Sequence, residues 1–314
     1  MRSVTRFCCG ISDVNGLFAQ QWAWYVLMLL AAGVLASSHA SAKASLDFIG
    51  LKKVLFFRAL AAAMVSLPLL WVAKFYRPLD AKDVGSIGLA VLLSPILLNV
   101  FFFIGLRTGQ LGVQNALRQN SPLAVIALQA IIWSTPLVPI AYVGVWMILV
   151  GTVWLALVSK KTGSGAAAFA SGIVAAVIHG SSIVAQSYAL ACVNPPGLIV
   201  IQNLAFLIFT VMLCGGELRG VWRDVGVDER LRKGAFYAAI SGLGINLVYD
   251  GMKLLAMPVI GPAAVACLTL ASLPISVWLG RWLFGERPGL KVYLLITMIL
   301  VGALLLSQVI EHHR

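Results

Sequence analysis

The sequence predicts an all-α integral membrane protein with ten transmembrane helices, arranged as two inverted five-helix repeats. Composition gives the first reason, because 61% of the 314 residues are hydrophobic, only 11% are charged, and the mean hydropathy is +0.96. Soluble globular chains carry about 25% charged residues. Apolar runs of roughly 20 residues recur along the chain, which is the length a helix needs to cross about 30 Å of hydrocarbon. A water-soluble enzyme is therefore excluded.

An internal repeat gives the second reason. Residues 147–151 and 298–302 both read Met-Ile-Leu-Val-Gly, and both lie inside long apolar runs. Each repeat would hold an odd number of spans, so the second copy would cross the membrane in the opposite direction to the first. Inverted repeats with a site at their interface are a recurring architecture of secondary transporters.

The predicted spans divide the chain into two halves. An N-terminal tail (1–19) and a C-terminal tail (310–314) flank a first repeat (20–160) and a second repeat (161–309). Little chain is left over, and the longest loop, 216–233, is expected to hold at most a short interfacial helix. The approximate bounds of the ten predicted helices are 20–41, 54–73, 86–106, 110–133, 139–158, 166–191, 197–215, 234–256, 259–284 and 290–309.

The net charge of +12 is distributed unevenly over the predicted loops. Most lysines and arginines follow odd-numbered helices, and few lie in the termini and the even loops. Because basic residues concentrate on the cytoplasmic side, we predict that the odd loops are cytoplasmic and that both termini are outside. The same distribution argues against nucleic-acid binding. The basic residues assigned to odd loops are Lys43, Lys52, Lys53, Arg58, Arg107, Lys160, Lys161, Arg219, Arg223, Arg230, Arg232, Lys233, Arg281, Arg287 and Lys291.

Two further pairs of features match between the halves. The third and eighth helices are each predicted to end in an aromatic-x-Gly-apolar-basic pattern, at 103–107 and 249–253. A proline lies inside the fourth helix and another inside the ninth, Pro122 and Pro274. A proline within a span frees a backbone carbonyl and bends the helix, so we interpret both as hinges.

A short motif, Gly285-Glu286-Arg287-Pro288, precedes the last predicted helix. With the two five-helix halves, the Gly-Leu-Arg ending of the third helix and the mid-helix prolines, it resembles the EamA-like branch of the drug/metabolite transporter superfamily, from about residue 20 to 308. The resemblance implies transport of small metabolites by alternating access, through a central cavity lined by the first four helices of each half. It implies no particular substrate. The corresponding loop of the first half, 134–139, contains no glutamate.

The fourth predicted helix is unusually polar. Gln114, Arg118 and Pro122 recur every four residues and so share one helix face. Arg118 lies about eight residues into the span, too deep to reach the interface easily. Its guanidinium could bind a carboxylate or phosphate bidentately. The alternative is that helix-end carbonyls or an acidic neighbour such as Asp250 satisfy it.

Polar side chains in a membrane usually face the bundle interior or a wet cavity. Interhelical hydrogen bonding is the equal alternative for the amides. On this basis the candidate substrate-binding residues are Arg118, Gln114, Asn115, Asn99, His179 and Asn203.

Asp250 and His39 are the candidate coupling residues. Asp250 is the carboxylate that falls inside a predicted span, near the end of the eighth helix, and a buried carboxylate can carry a proton. A structural ion pair with Lys253, three residues later, is the alternative. His39 and His179 each follow a seam of small residues that would let two helices approach closely. Histidine titrates near neutral pH, which suits coupling, although a packing role is the alternative.

The chain contains no metal-ligand spacing, phosphate-binding loop, dinucleotide fingerprint or nucleophile elbow, so we predict no cofactor, metal site or catalytic residue. The prediction is a secondary active exporter of a small anionic or amino-acid-like metabolite. It would be a multi-pass protein of the cell membrane, a bacterial inner membrane, whose partners are the substrate and the bilayer. A homodimer is left open. The alternative is a lipid-handling flippase or an intramembrane transferase acting through His39, His179 or Asp250.

Overall fold

A computed structural model describes residues 14–133, 139–161, 166–287 and 289–311, and these residues are helical apart from turns, short loops and one isolated β-bridge. The predicted loop at 134–138 and the outermost residues of both predicted tails lie outside the described residues. The α-helices are α1 (Val14–Phe48), α2 (Leu51–Ser66), α3 (Ala81–Val91), α4 (Asn99–Thr108), α5 (Leu111–Arg118), α6 (Ser121–Trp133), α7 (Pro139–Lys161), α8 (Ala166–Ala189), α9 (Pro195–Cys214), α10 (Val221–Val227), α11 (Glu229–Gly242), α12 (Asp250–Ile260), α13 (Pro262–Leu268), α14 (Ser272–Phe284) and α15 (Leu290–Glu311).

Among the described residues, five short segments with π or 3₁₀ geometry adjoin the α-helices. Two are π-helical and three are of the 3₁₀ type. The π segments are Leu92–Leu98, between α3 and α4, and Leu243–Tyr249, between α11 and α12. The 3₁₀ segments are Leu67–Trp71, Gly215–Arg219 and Thr269–Ala271.

Within the described residues, seven helical stretches are long and apolar enough to cross a membrane, and two shorter apolar helices, Tyr142–Leu155 and Leu290–Gly302, lie in α7 and α15. The fourth predicted helix is not continuous, because the chain turns at Gln119 and Asn120 and separates α5 from α6. The protein is thus an all-helical, multi-pass membrane protein. The seven stretches are Trp22–Phe48, Leu51–Trp71, Ala81–Arg107, Ala167–Ala189, Pro195–Leu218, Glu229–Ile260 and Pro262–Phe284.

The loops form two separate groups of contacts. In one group, the loop after the second predicted helix meets the loop after the sixth: the Tyr76 N–H donates to the Cys192 carbonyl at 2.9 Å, and the Asn194 N–H donates to the Lys74 carbonyl at 3.0 Å. In the other group, residues after odd-numbered predicted helices meet one another, as in the ion pair of Lys52 with Glu217 at 2.9 Å. This grouping of even with even and odd with odd agrees with the predicted alternation of the loops.

Helices α7 and α15 pack against each other through the repeated pentapeptide. A Cβ built on Gly302 would lie 2.8 Å from the Gly144 carbonyl oxygen and 3.0 Å from Met147, and one on Gly151 would lie 2.8 Å from Ile299. Glycine lets two helix backbones approach closely in lipid. The two copies of Met-Ile-Leu-Val-Gly therefore contact one another directly.

The longest continuous helical stretch described in the second half runs from Glu229 to Ile260 and includes the π segment Leu243–Tyr249. The predicted eighth helix, 234–256, ends six residues after Asp250, whereas the observed helix continues to Ile260, so the prediction that Asp250 lies close to a helix end is wrong. Ten residues of the same helical stretch follow Asp250. Its place is inside the bundle, directly after the π segment.

Candidate functional site

A small cavity lies where the middle parts of several helices meet. Its volume is about 10 Å³, room for about one water molecule, whereas pockets for small molecules usually measure about 300–1,000 Å³. This cavity is therefore too small to hold a metabolite in the conformation described. The cavity is lined by His39, Ser94, Leu98, Asn99, Phe102, Arg118, His179, Ile245, Asn246 and Asp250.

The two π segments each lead into a residue that lines this cavity. Asn99 is the first residue after Leu92–Leu98, and Asp250 is the first after Leu243–Tyr249. A π-helical turn widens the helix and often marks a functional site. In the first segment Pro95 cannot donate a backbone hydrogen bond, and the Asn99 side-chain amide donates to the Pro95 carbonyl at 2.7 Å.

Arg118 ends α5 and is only 2% exposed. Its Nη1 contacts His39 Nε2, and its guanidinium carbon lies 4.9 Å from the centre of the Phe102 ring. Because arginine only donates hydrogen bonds, His39 Nε2 must be the acceptor. The Arg118 Nε has no hydrogen-bond partner, and no carboxylate of the described residues lies within ion-pair distance of this guanidinium. The predicted alternative, that Asp250 pairs directly with the Arg118 guanidinium, is therefore not observed; Asp250 pairs with Lys253 instead.

Arg58 is a second buried arginine, which the sequence analysis assigned to a loop. That assignment is wrong, because Arg58 lies inside α2 and is 0% exposed. Its guanidinium donates to three neutral oxygens: Ser241 Oγ at 2.8 Å, Asn99 Oδ1 at 3.1 Å and Asn246 Oδ1 at 3.2 Å. It also lies 4.7 Å from the centre of the Phe103 ring. The depth argument that singled out Arg118 applies equally to Arg58, and could have found it.

Asp250 forms an ion pair with Lys253, from Oδ1 to Nζ at 2.5 Å. The Lys253 side chain is 1% exposed, the Asp250 side chain 15%. Lys253 Nζ also lies 5.4 Å from the centre of the Tyr249 ring. The predicted spacing between the two residues thus gives an ion pair inside the bundle, with the carboxylate lining the cavity.

The two histidines lie in the same buried region. His39 and His179 are both 0% exposed, and both line the cavity. His39 contacts Arg118 and lies 4.4 Å from the Phe102 ring, centre to centre. Neither ring nitrogen of His179 has a hydrogen-bond partner among the described residues.

Comparisons with known proteins bear on the fold and on the family of part of the chain. No curated protein matches the sequence. Twenty-eight chains of solved structures match it, and one of these, a crystal structure, covers 92% of this chain and 98% of its own length with a TM-score of 0.58. That protein is 18% identical, so the likeness shows the fold alone. Residues 22–157 match the EamA-like transporter family.

The EamA-like family, part of the drug/metabolite transporter superfamily, implies membrane transport of small solutes and does not specify a substrate. The match over residues 22–157 also favours a transporter over an enzyme. The matched segment includes His39, Arg58, Asn99 and Arg118, four of the polar residues at or beside the cavity. His179 and Asp250 come from the part of the chain beyond it.

Three of the predicted site residues lie outside the cavity. Gln114 donates from Nε2 to the Ala168 carbonyl in α8 at 3.0 Å, and Asn115 donates to Ser276 Oγ in α14 at 2.6 Å. Asn203 donates from Nδ2 to the Asn246 carbonyl at 3.5 Å. All three are buried between helices, so the structure does not bring them together with Arg118 at the cavity.

Both predicted hinge prolines lie next to breaks in helices. Pro122 is the second residue of α6, immediately after the turn at Gln119 and Asn120. Pro274 is the third residue of α14, after the 3₁₀ segment Thr269–Ala271. A proline in the first turn of a helix lacks only a donor that would be free anyway. The prolines therefore begin helices and do not kink continuous ones, and whether the breaks move stays a prediction.

Proposed function

We propose that this chain is a secondary active transporter that moves a small anionic metabolite across the cell membrane by alternating access. The observation that carries the proposal is Arg118, a buried guanidinium at a central cavity that has no carboxylate partner among the residues the structure describes. A charge buried in low dielectric is costly unless an opposite charge approaches it, so this position favours binding of an anion.

We propose that Asn99 and His179, which also line the cavity, contact the substrate. Gln114, Asn115 and Asn203 would then act indirectly, by holding α5, α8 and α14 around Arg118. The cavity of about 10 Å³ is too small for a metabolite, so the proposal requires the helices to separate when substrate binds. The breaks beside Pro122 and Pro274 are the proposed hinges.

The proposed architecture has ten spans in two inverted five-helix repeats, 20–160 and 161–309. Three matched features support it. The π segments begin at Leu92 and Leu243, and the broken helices begin at Leu111 and Pro262, each pair 151 positions apart. The repeated pentapeptides have the same offset.

We propose Asp250 as the site of proton coupling, with His39 as the second candidate. Asp250 lines the cavity and is already paired with Lys253, so protonation of the carboxylate would release the lysine into the site. We further propose export from the cytoplasm of a bacterial cell, across its inner membrane. Uptake into inside-out vesicles, compared with right-side-out vesicles, tests the direction.

Transport by purified protein in liposomes tests the function. Small labelled carboxylates and phosphate esters are offered under an imposed pH gradient, to wild type, Arg118→Gln and Arg281→Gln. Arg281 is exposed in the last turn of α14, so it is a matched control. We expect anion transport by wild type and Arg281→Gln, and none by Arg118→Gln even though its folded yield is normal. Unchanged anion transport by Arg118→Gln would overturn the assignment.

A further inference from the structure

We infer that the substrate carries two negative charges, and that Arg58 prepares the site for it by orienting Asn246. This inference rests on the proposed function and specifies its substrate class. Arg58 does not line the cavity, but it donates from Nη2 to the side-chain oxygens of Asn99 and Asn246, which do. Arg58 is therefore a positioning residue, which acts on the site through these two asparagines.

The first step of the argument is the direction of the asparagine side chains. A guanidinium has five donors and no acceptor, so the amide oxygens of Asn99 and Asn246 must face Arg58 and their NH₂ groups must point away. The Asn99 NH₂ donates to the Pro95 carbonyl at 2.7 Å. The Asn246 NH₂ is buried without a partner among the described residues, although Asn246 lines the cavity. Arg58 thus fixes the orientation of the Asn246 side chain, so that its NH₂ group is the one left to donate to a ligand.

The second step is that the unpaired polar groups of Asn246 and Arg118 are both hydrogen-bond donors. Asn246 offers its NH₂, and Arg118 offers its Nε–H, which is also buried without a partner. Both groups donate and neither accepts. Unpaired buried donors are costly, and a ligand rich in acceptor oxygens, such as a carboxylate or a phosphate, would satisfy them.

The third step is the charge balance of the buried groups. Arg58, Arg118 and Lys253 are at most 2% exposed and positive, and Asp250 is the carboxylate beside them, paired with Lys253. His39 is neutral, because its Nε2 accepts a hydrogen bond from Arg118. The three cations, less the Asp250 carboxylate, therefore leave an excess of two positive charges around the cavity, which a charge on His179 would only increase. Burial makes that excess costly. One ligand bearing two negative charges, either a dicarboxylate or a phosphate monoester, would neutralise it.

Binding to the purified, folded protein tests the inference. The probes are succinate, glycerol 3-phosphate and the monoanion butyrate, each measured by thermal unfolding and by calorimetry. We expect at least one dianion to bind about tenfold or more tightly than butyrate, and Arg58→Gln to remove most of that preference. Succinate and glycerol 3-phosphate distinguish the two sources of the double charge. Butyrate bound as tightly as both dianions would overturn the inference.

A second variant keeps the test decisive if Arg58→Gln fails to fold. Asn246→Asp replaces the free NH₂ by a carboxylate that can pair with Arg58, and so removes one of the two excess charges. We expect it to weaken the binding of both kinds of anion, and of the dianions more than of butyrate, so that the ratio of dianion to monoanion affinity falls. Asn194→Asp is the control, because it makes the same change in the loop after α8, where Asn194 accepts from two backbone N–H groups.

The results separate this inference from the proposed function. If Arg118→Gln abolishes anion transport but Asn246→Asp leaves the ratio of dianion to monoanion affinity unchanged, the inference about Arg58 and the double charge is wrong and the transporter stands. If Arg118→Gln transports anions like wild type, the proposed function fails first.

Discussion

Lys43 of α1 forms an ion pair with Glu286, which follows α14 and lies 243 positions later in the sequence. The same Glu286 oxygen accepts a hydrogen bond from the Leu111 N–H at 2.8 Å, and Lys43 Nζ donates to the Gly109 carbonyl at 3.1 Å. Leu111 is the first residue of α5, so the carboxylate satisfies a backbone donor that the helix leaves free. The glutamate of the Gly-Glu-Arg motif thus joins α1, α5 and α14.

We expect Glu286→Ala to destabilise the protein more than Glu286→Gln does. Glutamine keeps an acceptor for the Leu111 N–H and loses only the charge, whereas alanine loses both. Removing one partner of a mostly buried pair, here 17% and 10% exposed, costs about 3–5 kcal/mol when burial is complete, and less here. Thermal unfolding in detergent measures the order of stability.

The control for Glu286 is Glu217→Ala. Glu217 pairs with Lys52, but these side chains are 51% and 49% exposed, so their separation should cost about 0–1 kcal/mol. Equal losses for Glu286→Ala and Glu217→Ala would show that the contacts of Glu286 contribute no more than a surface ion pair.

We expect Gly302→Ala to weaken the packing of α7 against α15. The new Cβ would lie 2.8 Å from the Gly144 carbonyl oxygen, and backbone atoms cannot yield as a flexible side chain would. Overpacking of this kind costs about 1–3 kcal/mol. Gly88→Ala in α3 is the matched control, because its Cβ meets no atom within 4 Å and alanine favours helix. A fall in melting temperature for Gly88→Ala that matches Gly302→Ala would contradict this account.

We expect Gln114→Met to lower stability without changing the affinity for substrate. The change removes the hydrogen bond from Gln114 Nε2 to the Ala168 carbonyl, which still accepts from Ser171 Oγ, so the cost is that of one hydrogen bond, about 0.5–1.5 kcal/mol. The half-saturation constant of transport should stay near the wild-type value, in contrast to Arg118→Gln. A large rise in that constant would return Gln114 to the substrate site.

A pH effect is expected at the start of α3, where Asp80 caps the helix. The Asp83 N–H donates to Asp80 Oδ1 at 2.8 Å, and this hydrogen bond holds the pKa of the Asp80 carboxyl below its usual value. The stabilisation is therefore present above the unfolded-state pKa and is lost as pH falls through the folded-state pKa. Asp80→Asn keeps a capping oxygen and cannot titrate.

Melting temperatures of wild type and Asp80→Asn, measured from pH 7 to pH 3, test this expectation. Wild type should be the more stable protein at neutral pH, and the difference should shrink below about pH 4. A difference that stays constant over the whole range would show that the charge on Asp80 contributes nothing.

Sequence reasoning identified the helical membrane class and several cavity residues, because these follow from composition and from the cost of placing charge in lipid. His39, Asn99, Arg118, His179 and Asp250 all line one cavity. Gln114 and Asn115 do not, since the rotation of α5 about its own axis decides which of its polar side chains faces α8 or α14. One sequence does not fix that rotation.

Other features depend on hydrogen-bond register and on long-range packing. Only one of the two π segments contains a proline, so proline is not a signal by which both segments could be predicted from the sequence. The prediction that Arg58 lies in a loop is wrong because its partners are distant in the sequence. Its burial depends on oxygens of Ser241 and Asn246, more than 180 positions away.

The contact between α7 and α15 also fixes the order in which the protein can be completed. Helix α7 is synthesised before α8 to α14, and α15 after all of them. Until the final helix inserts, the glycine face of α7 around Gly144 and Gly151 must be covered by lipid or by a membrane chaperone. The packing of α7 is thus complete only after the last helix inserts, and a nascent chain interrupted before α15 presents an uncovered surface by which a quality-control protease could recognise it.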